Sequence, residues 1–367
     1  MAIISNEQLK NCQRLLFISP IALGDFLYLK TFLIALKAAQ PHIEIDIWLD
    51  DNRCNQDSWR LSRSTILQQW IAAEASFHGS YGCTDSVASR DLQIETAKQQ
   101  QYDIVICHSP AGRASQFSKI ARRIAPKGFI VSSITAPLHK GLFNWWLLRA
   151  SDKVYTLDSQ SLPSNHHITD RFYTILHDIL GLSMDKKAFM PTLVVPNDVI
   201  QHAQQWINCH LDGNSTVVLI NHLSTNSKRD WSESQVIDLI NSIHQHQPET
   251  RFIINVTKEQ FTHISQVVAT RLADVQSKVA VFTIKDNFFE LPAIIAAVDW
   301  VITVETAIMH FATAAQTPLI ALMRSKKPYW APPASTTSQV LYASKGKGHV
   351  CDIDTETVFK QYLTMSQ

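Results

Sequence analysis

The chain has 367 residues, 46% of them apolar, with 33 basic against 32 acidic residues and a formal net charge of +1. That length exceeds one ordinary core, so two domains are expected, and the charge balance excludes a dedicated nucleic-acid binder. No apolar stretch approaches the ~20 residues of a membrane helix, the N-terminal MAIISNEQLKNCQR lacks an apolar signal core, and the scattered cysteines form no C-x-x-C pair, so a soluble protein of a reducing, cytoplasmic compartment is expected.

Taken in chain order, RLLFIS (14–19) reads as a first strand and 25–40 as a helix with apolar periodicity. EIDIWL (44–49) alternates as a second strand, and helices are expected near 62–74 and 88–100. YDIVIC (102–107), GFIVSS (128–133) and 153–157 give further strands, with a helix from about Arg113. The segment GLFNWWLLRA (141–150), flanked by His139, Lys140 and Lys153, is either a buried helix or a bilayer-headgroup contact. A helix over 166–182 is closed by Gly181, and the proline-bearing stretch 183–196 is placed as the domain linker.

The second half repeats the alternation. Strands are expected at 216–221, 251–256, 279–284, 300–304 and 318–323, with helices near 197–211, 232–247, 259–275, 288–297 and 306–315. Apolar strands alternating with helices imply parallel sheets covered on both faces, and two such domains in tandem leave a cleft between their strand C-terminal edges. The domains are thus 1–182 and 197–367, and the last helix is free to pack back on the N-terminal domain.

With only ten glycines the chain has neither G-x-G-x-x-G nor a P-loop. Three other segments carry candidate chemistry. In Ser19–Asp25, Gly24 permits a backbone conformation forbidden to other residues, and Asp25 sits at a helix start, where the dipole and free N–H groups should keep its carboxylate ionised. It is either a plain N-cap or a base able to take a proton from a substrate hydroxyl. In Asn221–Trp231, the hydroxyls of Ser224 and Thr225 and the ammonium of Lys228 lie where a diphosphate fits, Lys228 being a flexible point charge. The alternative is a solvated turn before a helix starting at Ser232. In WVITVETAIMH (300–310), a buried strand meets a small-residue helix, a junction whose free N–H groups favour an anion. Thr306 and His310 share a face there, and the alternative makes Thr306 a cap and His310 a core residue. Glu305 either accepts hydrogen bonds from ligand hydroxyls or braces the loop. Asp352 and Asp354 have D-x-D spacing, yet Asp354 reads as the N-cap of a last helix.

Together, LGDFLYLKTFLIALKAAQP (23–41), NHLSTNSKRDWSESQVIDLI (221–240) and FFELPAIIAAVDWVITVETAIMHFATAAQTPLIALM (288–323), with weaker echoes at 102–115 and 350–363, resemble family 9 of the glycosyltransferases, the ADP-heptose:lipopolysaccharide heptosyltransferases. The resemblance implies the GT-B fold: two Rossmann-like α/β domains with parallel sheets facing across a cleft, acceptor on the N-terminal domain and nucleotide-sugar on the C-terminal one. It makes Asp25 the general base and Lys228 the holder of the donor phosphates. Thr306, Ala307 and His310 fall on the D-[ST]-G-x-x-H element around the diphosphate. Glu305 and Ala307 replace the family's usual Asp and Gly, and KRDW carries one residue more than the commoner KRW.

The implied reaction is an inverting displacement on a nucleotide-activated heptose, with no metal and no cofactor beyond the ADP-sugar donor. The implied acceptor is an anionic inner-core sugar on lipid A, at the cytoplasmic face of the inner membrane; Arg60, Arg63 and Arg113 in the N-terminal half are either contacts for it or ordinary surface charges. The alternatives are another donor or acceptor within the family, or a non-catalytic nucleotide-binding relative.

Overall fold

The apolar runs of the sequence build two separate six-stranded parallel sheets, one in each of two units, Met1–Met190 and Pro191–Gln367. This computed structural model describes residues 2–109, 111–135, 141–158, 160–183, 191–325, 329–333, 335–343 and 348–366. Of the expected linker, 184–190 lie outside the described residues, as do His139 and Lys140.

In the first unit, α1 (Asn6–Asn11) leads into β1 (Arg14–Ile18), α2 (Leu23–Ala39), β2 (Glu44–Trp48), α3 (Ser58–Ala73), β3 (Gly79–Tyr81) and α4 (Val87–Lys98). Then follow β4 (Ile104–His108), α5 (Ala111–Ile124), β5 (Phe129–Ile134), α6 (Asn144–Leu147), β6 (Lys153–Thr156) and α7 (Ile168–Leu180). The strand order is β3-β2-β1-β4-β5-β6. The chain therefore reverses direction across the sheet between β1 and β4, where Ile18 pairs with Cys107. The crevice outside the strand C-termini at such a reversal is where ligands of open parallel sheets bind. Gly181 ends α7 with φ +70°, a left-handed conformation that costs glycine little, and its N–H returns to His177 O at 2.7 Å.

The second unit runs α8 (Asn197–His210), β7 (Val217–Asn221), α9 (Glu233–His246), β8 (Arg251–Asn255), α10 (Lys258–Arg271) and β9 (Val279–Phe282). It continues with α11 (Glu290–Ala297), β10 (Trp300–Val304), α12 (Ala307–Ala315), β11 (Leu319–Met323), β12 (Ser338–Tyr342) and α13 (Thr355–Ser366). The order β12-β11-β10-β7-β8-β9 puts the reversal between β7 and β10, with Asn221 in register with Thr303. The last helix, α13, packs on α9 and buries Val358 and Tyr362 in this unit's core.

Two strands escape the sequence reading. β3 is three half-buried residues, too short to show alternation, and β12 is a half-buried edge strand. The aromatic segment is a correction of another kind. A buried helix over 141–150 does not form: α6 spans four residues, while Leu142, Phe143, Trp145 and Trp146 are exposed.

Candidate active site

In the first unit, the loop after β1 delivers α2, whose first turn holds Asp25. Asp25 is not the N-cap; Ala22 takes that position without a side-chain hydrogen bond, and the Asp25 carboxylate draws on the Ala22 backbone instead. Gly24 is helical and buried, and no left-handed φ is needed there, contrary to the expected glycine-only backbone. The helix terminus does not act alone on Asp25. Burial pushes its carboxyl up to about 6, outweighing the Ala22 backbone and the nearby Arg63 guanidinium, which both pull it down. A carboxyl held there matches what general-base chemistry near neutral pH requires.

The three arginines singled out in this half converge on one residue that the sequence reading passed over, Asp51, just after β2. Arg60 Nε donates to Asp51 Oδ1 at 2.6 Å, Arg113 Nη1 donates to Asp51 O at 3.2 Å, and Arg63 Nη2 lies 4.0 Å from Asp51 Oδ2. Arg53 joins them, 3.3 Å from Asp51 Oδ2, and the exposed Trp59 ring lies 5.4 Å from the Arg53 guanidinium and 5.1 Å from that of Arg63. Arg60 is 0% exposed, and its remaining donors go to Asn55 O and Thr84 O. Arg60 thus serves as an internal brace, its guanidinium spent on Asp51, Asn55 and Thr84. Arg63 and Arg113 keep partial exposure. At the C-terminal end of β4, His108 is set by Ser133 Oγ at 3.2 Å, and burial pushes its imidazole down to about 4.

In the second unit the reversal point is organised by Asn221. Its Nδ2 donates to Leu223 O at 3.3 Å, to Thr303 Oγ1 at 3.1 Å and to Thr306 Oγ1 at 3.5 Å, while its Oδ1 accepts from Asn255 Nδ2 at 2.9 Å. One buried amide thus ties the ends of β7, β8 and β10 together, the kind of satisfied polar network that fixes geometry. Thr306 is the N-cap of α12, its hydroxyl accepting from Ile308 N at 3.3 Å, and Thr306 and Ala307 are partly exposed at that helix start. Capping and anion binding are compatible here, because one side-chain bond leaves other N–H groups of the first turn available.

The loop after β7 is a built turn. Lys228 sits in a short 3-10 turn, Ser227–Arg229, with its ammonium exposed and without an ion-pair partner among the described residues. Asp230, the residue that lengthens KRW to KRDW, accepts from both Ser224 N at 2.7 Å and Ser224 Oγ at 2.8 Å. Ser224 is thereby committed to bracing the turn, while Thr225 is exposed. Behind the turn, Trp231 N donates to His222 O at 2.9 Å and Trp231 Nε1 to Ile353 O at 2.8 Å. His222 is buried, and that burial pushes its imidazole down to about 4.

Two members of the expected diphosphate element face inward. Glu305 is buried, and its charge adds to burial in pushing the Tyr342 hydroxyl up. His310 is fully buried, with Trp330 edge-on at 4.5 Å between ring centroids. His310 thus lies where its alternative reading, a core residue, would put it. Asp352 and Asp354 serve as caps: Asp352 Oδ2 accepts from His349 N at 2.8 Å and Asp354 Oδ1 from Thr357 N at 2.7 Å.

The model of glycosyltransferase family 9 (heptosyltransferase) matches residues 148–362. No curated protein matches the chain. Among solved structures, a glycosyl transferase family 9 protein from Veillonella parvula is similar at 18% identity and a TM-score of 0.73, covering 96% of this chain and 97% of that one. The E. coli ADP-heptose lps heptosyltransferase II gives 16% identity and a TM-score of 0.72 over 96% of this chain and 98% of its own. E. coli heptosyltransferase WaaC with ADP-2-deoxy-2-fluoro heptose gives 17% identity and a TM-score of 0.63 over 96% of this chain and 100% of its own.

Proposed function

Because the chain belongs to glycosyltransferase family 9, with the GT-B fold of two Rossmann-like domains, we propose that this heptosyltransferase-like enzyme moves a heptose from ADP-heptose to an anionic inner-core glycolipid, with inversion. The observation that carries the catalytic reading is Asp25, a carboxyl in the first turn of α2 held at about 6 beside Arg63. At neutral pH it is mostly ionised and still basic enough to accept the proton of an attacking sugar hydroxyl.

The proposed step is a single displacement. The acceptor hydroxyl attacks the anomeric carbon as Asp25 takes its proton, the bond to the diphosphate breaks, and the nucleoside diphosphate departs with the electron pair. Lys228 and the free N–H groups at the start of α12, around Thr306 and Ala307, stabilise the charge that gathers on the leaving group. Preorganised donors of this kind are worth ~3–4 kcal/mol each in comparable sites. Fixed cations and amides stand where a metal would otherwise be needed, so no metal is part of the proposal. The donor assignment is supported by the WaaC structure with an ADP-heptose analogue. Arg63, Arg113 and Arg53 gather around Asp51 while keeping exposed surface, which suits an anionic acceptor.

The acceptor's lipid places the enzyme at the cytoplasmic face of the inner membrane as a peripheral protein. Among the described residues no helix is long and apolar enough to cross a membrane.

The deciding experiment pairs calorimetry with turnover. Wild-type protein should bind ADP and transfer heptose from ADP-heptose to a heptose-less inner-core acceptor, and Asp25→Asn should abolish transfer while ADP affinity stays nearly intact. ADP binding without transfer to any acceptor tested would instead establish a non-catalytic relative.

A further inference from the structure

We infer that the exposed segment Leu142, Phe143, Trp145 and Trp146, with Arg149 and Lys153 beside it, is the surface by which this protein docks on an anionic lipid bilayer. The inference names the contact that the proposed glycolipid acceptor calls for, and rests on that reading for its purpose.

The exposure is large where it is least expected. Trp145 is 76% exposed, Leu142 72%, Trp146 52% and Phe143 48%. Four large apolar side chains presented within five residues form the contiguous patch that marks an interaction surface. With Leu147, the aromatic members line a shallow concavity of about 430 Å³.

The segment is held in place rather than left loose. Leu148, next in the chain, is 1% exposed and packs with Ala114 and Ile134. Arg122 donates to Ala150 O at 3.1 Å and pairs with Asp152 at 2.8 Å, and Asp152 also accepts from Ile130 N at 2.7 Å. The chain is thus anchored to the sheet on its C-terminal side while the aromatics are turned outward.

Chemistry selects the occupant. Two tryptophans whose indole N–H groups have no acceptor among the described residues suit the bilayer interface, where one edge of the ring is apolar and the other wet. Arg149 lies over the Trp146 ring at 5.9 Å, and both Arg149 and Lys153 are exposed. The only acid between 141 and 154 is Asp152, already neutralised by Arg122. Aromatics bordered by unopposed cations fit an anionic headgroup layer. A second copy fits poorly, because a two-fold contact sets each patch on itself and brings cation against cation.

The test is co-sedimentation with vesicles of phosphatidylethanolamine containing roughly one quarter phosphatidylglycerol, against vesicles of phosphatidylcholine alone. Wild-type protein should partition onto the anionic vesicles, more weakly onto neutral ones, and less as salt rises. Trp145→Ser with Trp146→Ser should cut partitioning by about tenfold or more, with an unchanged melting temperature because both rings are exposed. Arg149→Glu with Lys153→Glu should weaken anionic binding selectively. Absence of wild-type binding, or undiminished binding by the tryptophan variant, overturns the inference, as does a wild-type dimer in solution that the tryptophan variant dissolves. The vesicle measurement needs no turnover. A failure of the transfer reading therefore leaves its outcome legible, and a failure of docking leaves transfer to a deacylated, water-soluble acceptor to be judged by itself.

Discussion

Asp230 accepts from the Ser224 backbone N–H at 2.7 Å and, at 2.8 Å, shares the Ser224 hydroxyl proton with Asn226 O. The extra residue of the KRDW sequence is therefore the clasp of the turn that carries Lys228, and its ionised acceptor makes the bonds stronger than neutral ones. Losing such a clasp costs about 1.5–3 kcal/mol where the geometry is fixed. Asp230→Ala should weaken ADP binding by about tenfold by calorimetry. Lys228→Ala should weaken it comparably and also slow turnover. Because Asp230 acts through Lys228, the double variant should bind no worse than Lys228→Ala alone. Additive losses would show that Asp230 contacts the donor itself.

Asp25 and Arg63 make the rate depend on pH in a defined direction. The base works deprotonated, and its pKa of about 6 means that kcat/KM should climb with pH below that value and level off above it. Arg63 pulls the carboxyl down, so Arg63→Met should move the midpoint upward. The variant's deficit should then be larger at mildly acidic pH and shrink in alkaline solution to whatever acceptor affinity Arg63 supplies. Arg63→Lys should restore much of the midpoint. A profile whose midpoint is the same in wild type and Arg63→Met would separate the two residues functionally.

The features legible in the sequence are those that depend on local periodicity. The apolar runs at 14–19, 102–107, 216–221 and 300–304 become the central strands β1, β4, β7 and β10, because a strand covered on both faces must be apolar throughout. Thr306 was readable as a cap from its place between strand and small-residue helix. What required coordinates is convergence from separate loops. Nothing in the sequence announces that Arg53, Arg60, Arg63 and Arg113 meet at Asp51, or that Asn221 joins Asn255, Thr303 and Thr306. Asp25 shows the competition most clearly. A helix start argues for ionisation, burial argues against, and only the amount of burial settles which prevails.

Arg60 is the strongest test of the first-unit geometry. Its guanidinium is enclosed and satisfied by Asp51, Asn55 and Thr84, so removing it leaves the buried Asp51 carboxylate with weaker support. Breaking an enclosed pair from one side costs about 3–5 kcal/mol. Arg60→Ala should lower stability in urea titrations by an amount in that range. Any loss of transfer should accompany unfolding rather than a raised acceptor KM in the folded fraction. A stable Arg60→Ala protein with a selectively raised acceptor KM would return Arg60 to the acceptor site.

His222 predicts how stability responds to acid. Its imidazole is held at about 4 against an ordinary 6.5, chiefly by burial, partly offset by Asp230 and Glu233. Between those values the unfolded chain binds a proton that the folded chain excludes. The contribution is therefore complete above pH 6.5 and drains away as pH falls toward 4. At full extent the loss is roughly 3 kcal/mol for a shift of this size. Other groups also respond to acid, so the measurement is the difference between wild type and His222→Gln. The variant should start less stable at pH 8, having lost packing behind the Lys228 turn, and the gap should narrow as the pH is lowered toward 5 in parallel denaturation series. A gap that stays constant over that interval would mean that the folded chain takes up the proton on His222 as readily as the unfolded one.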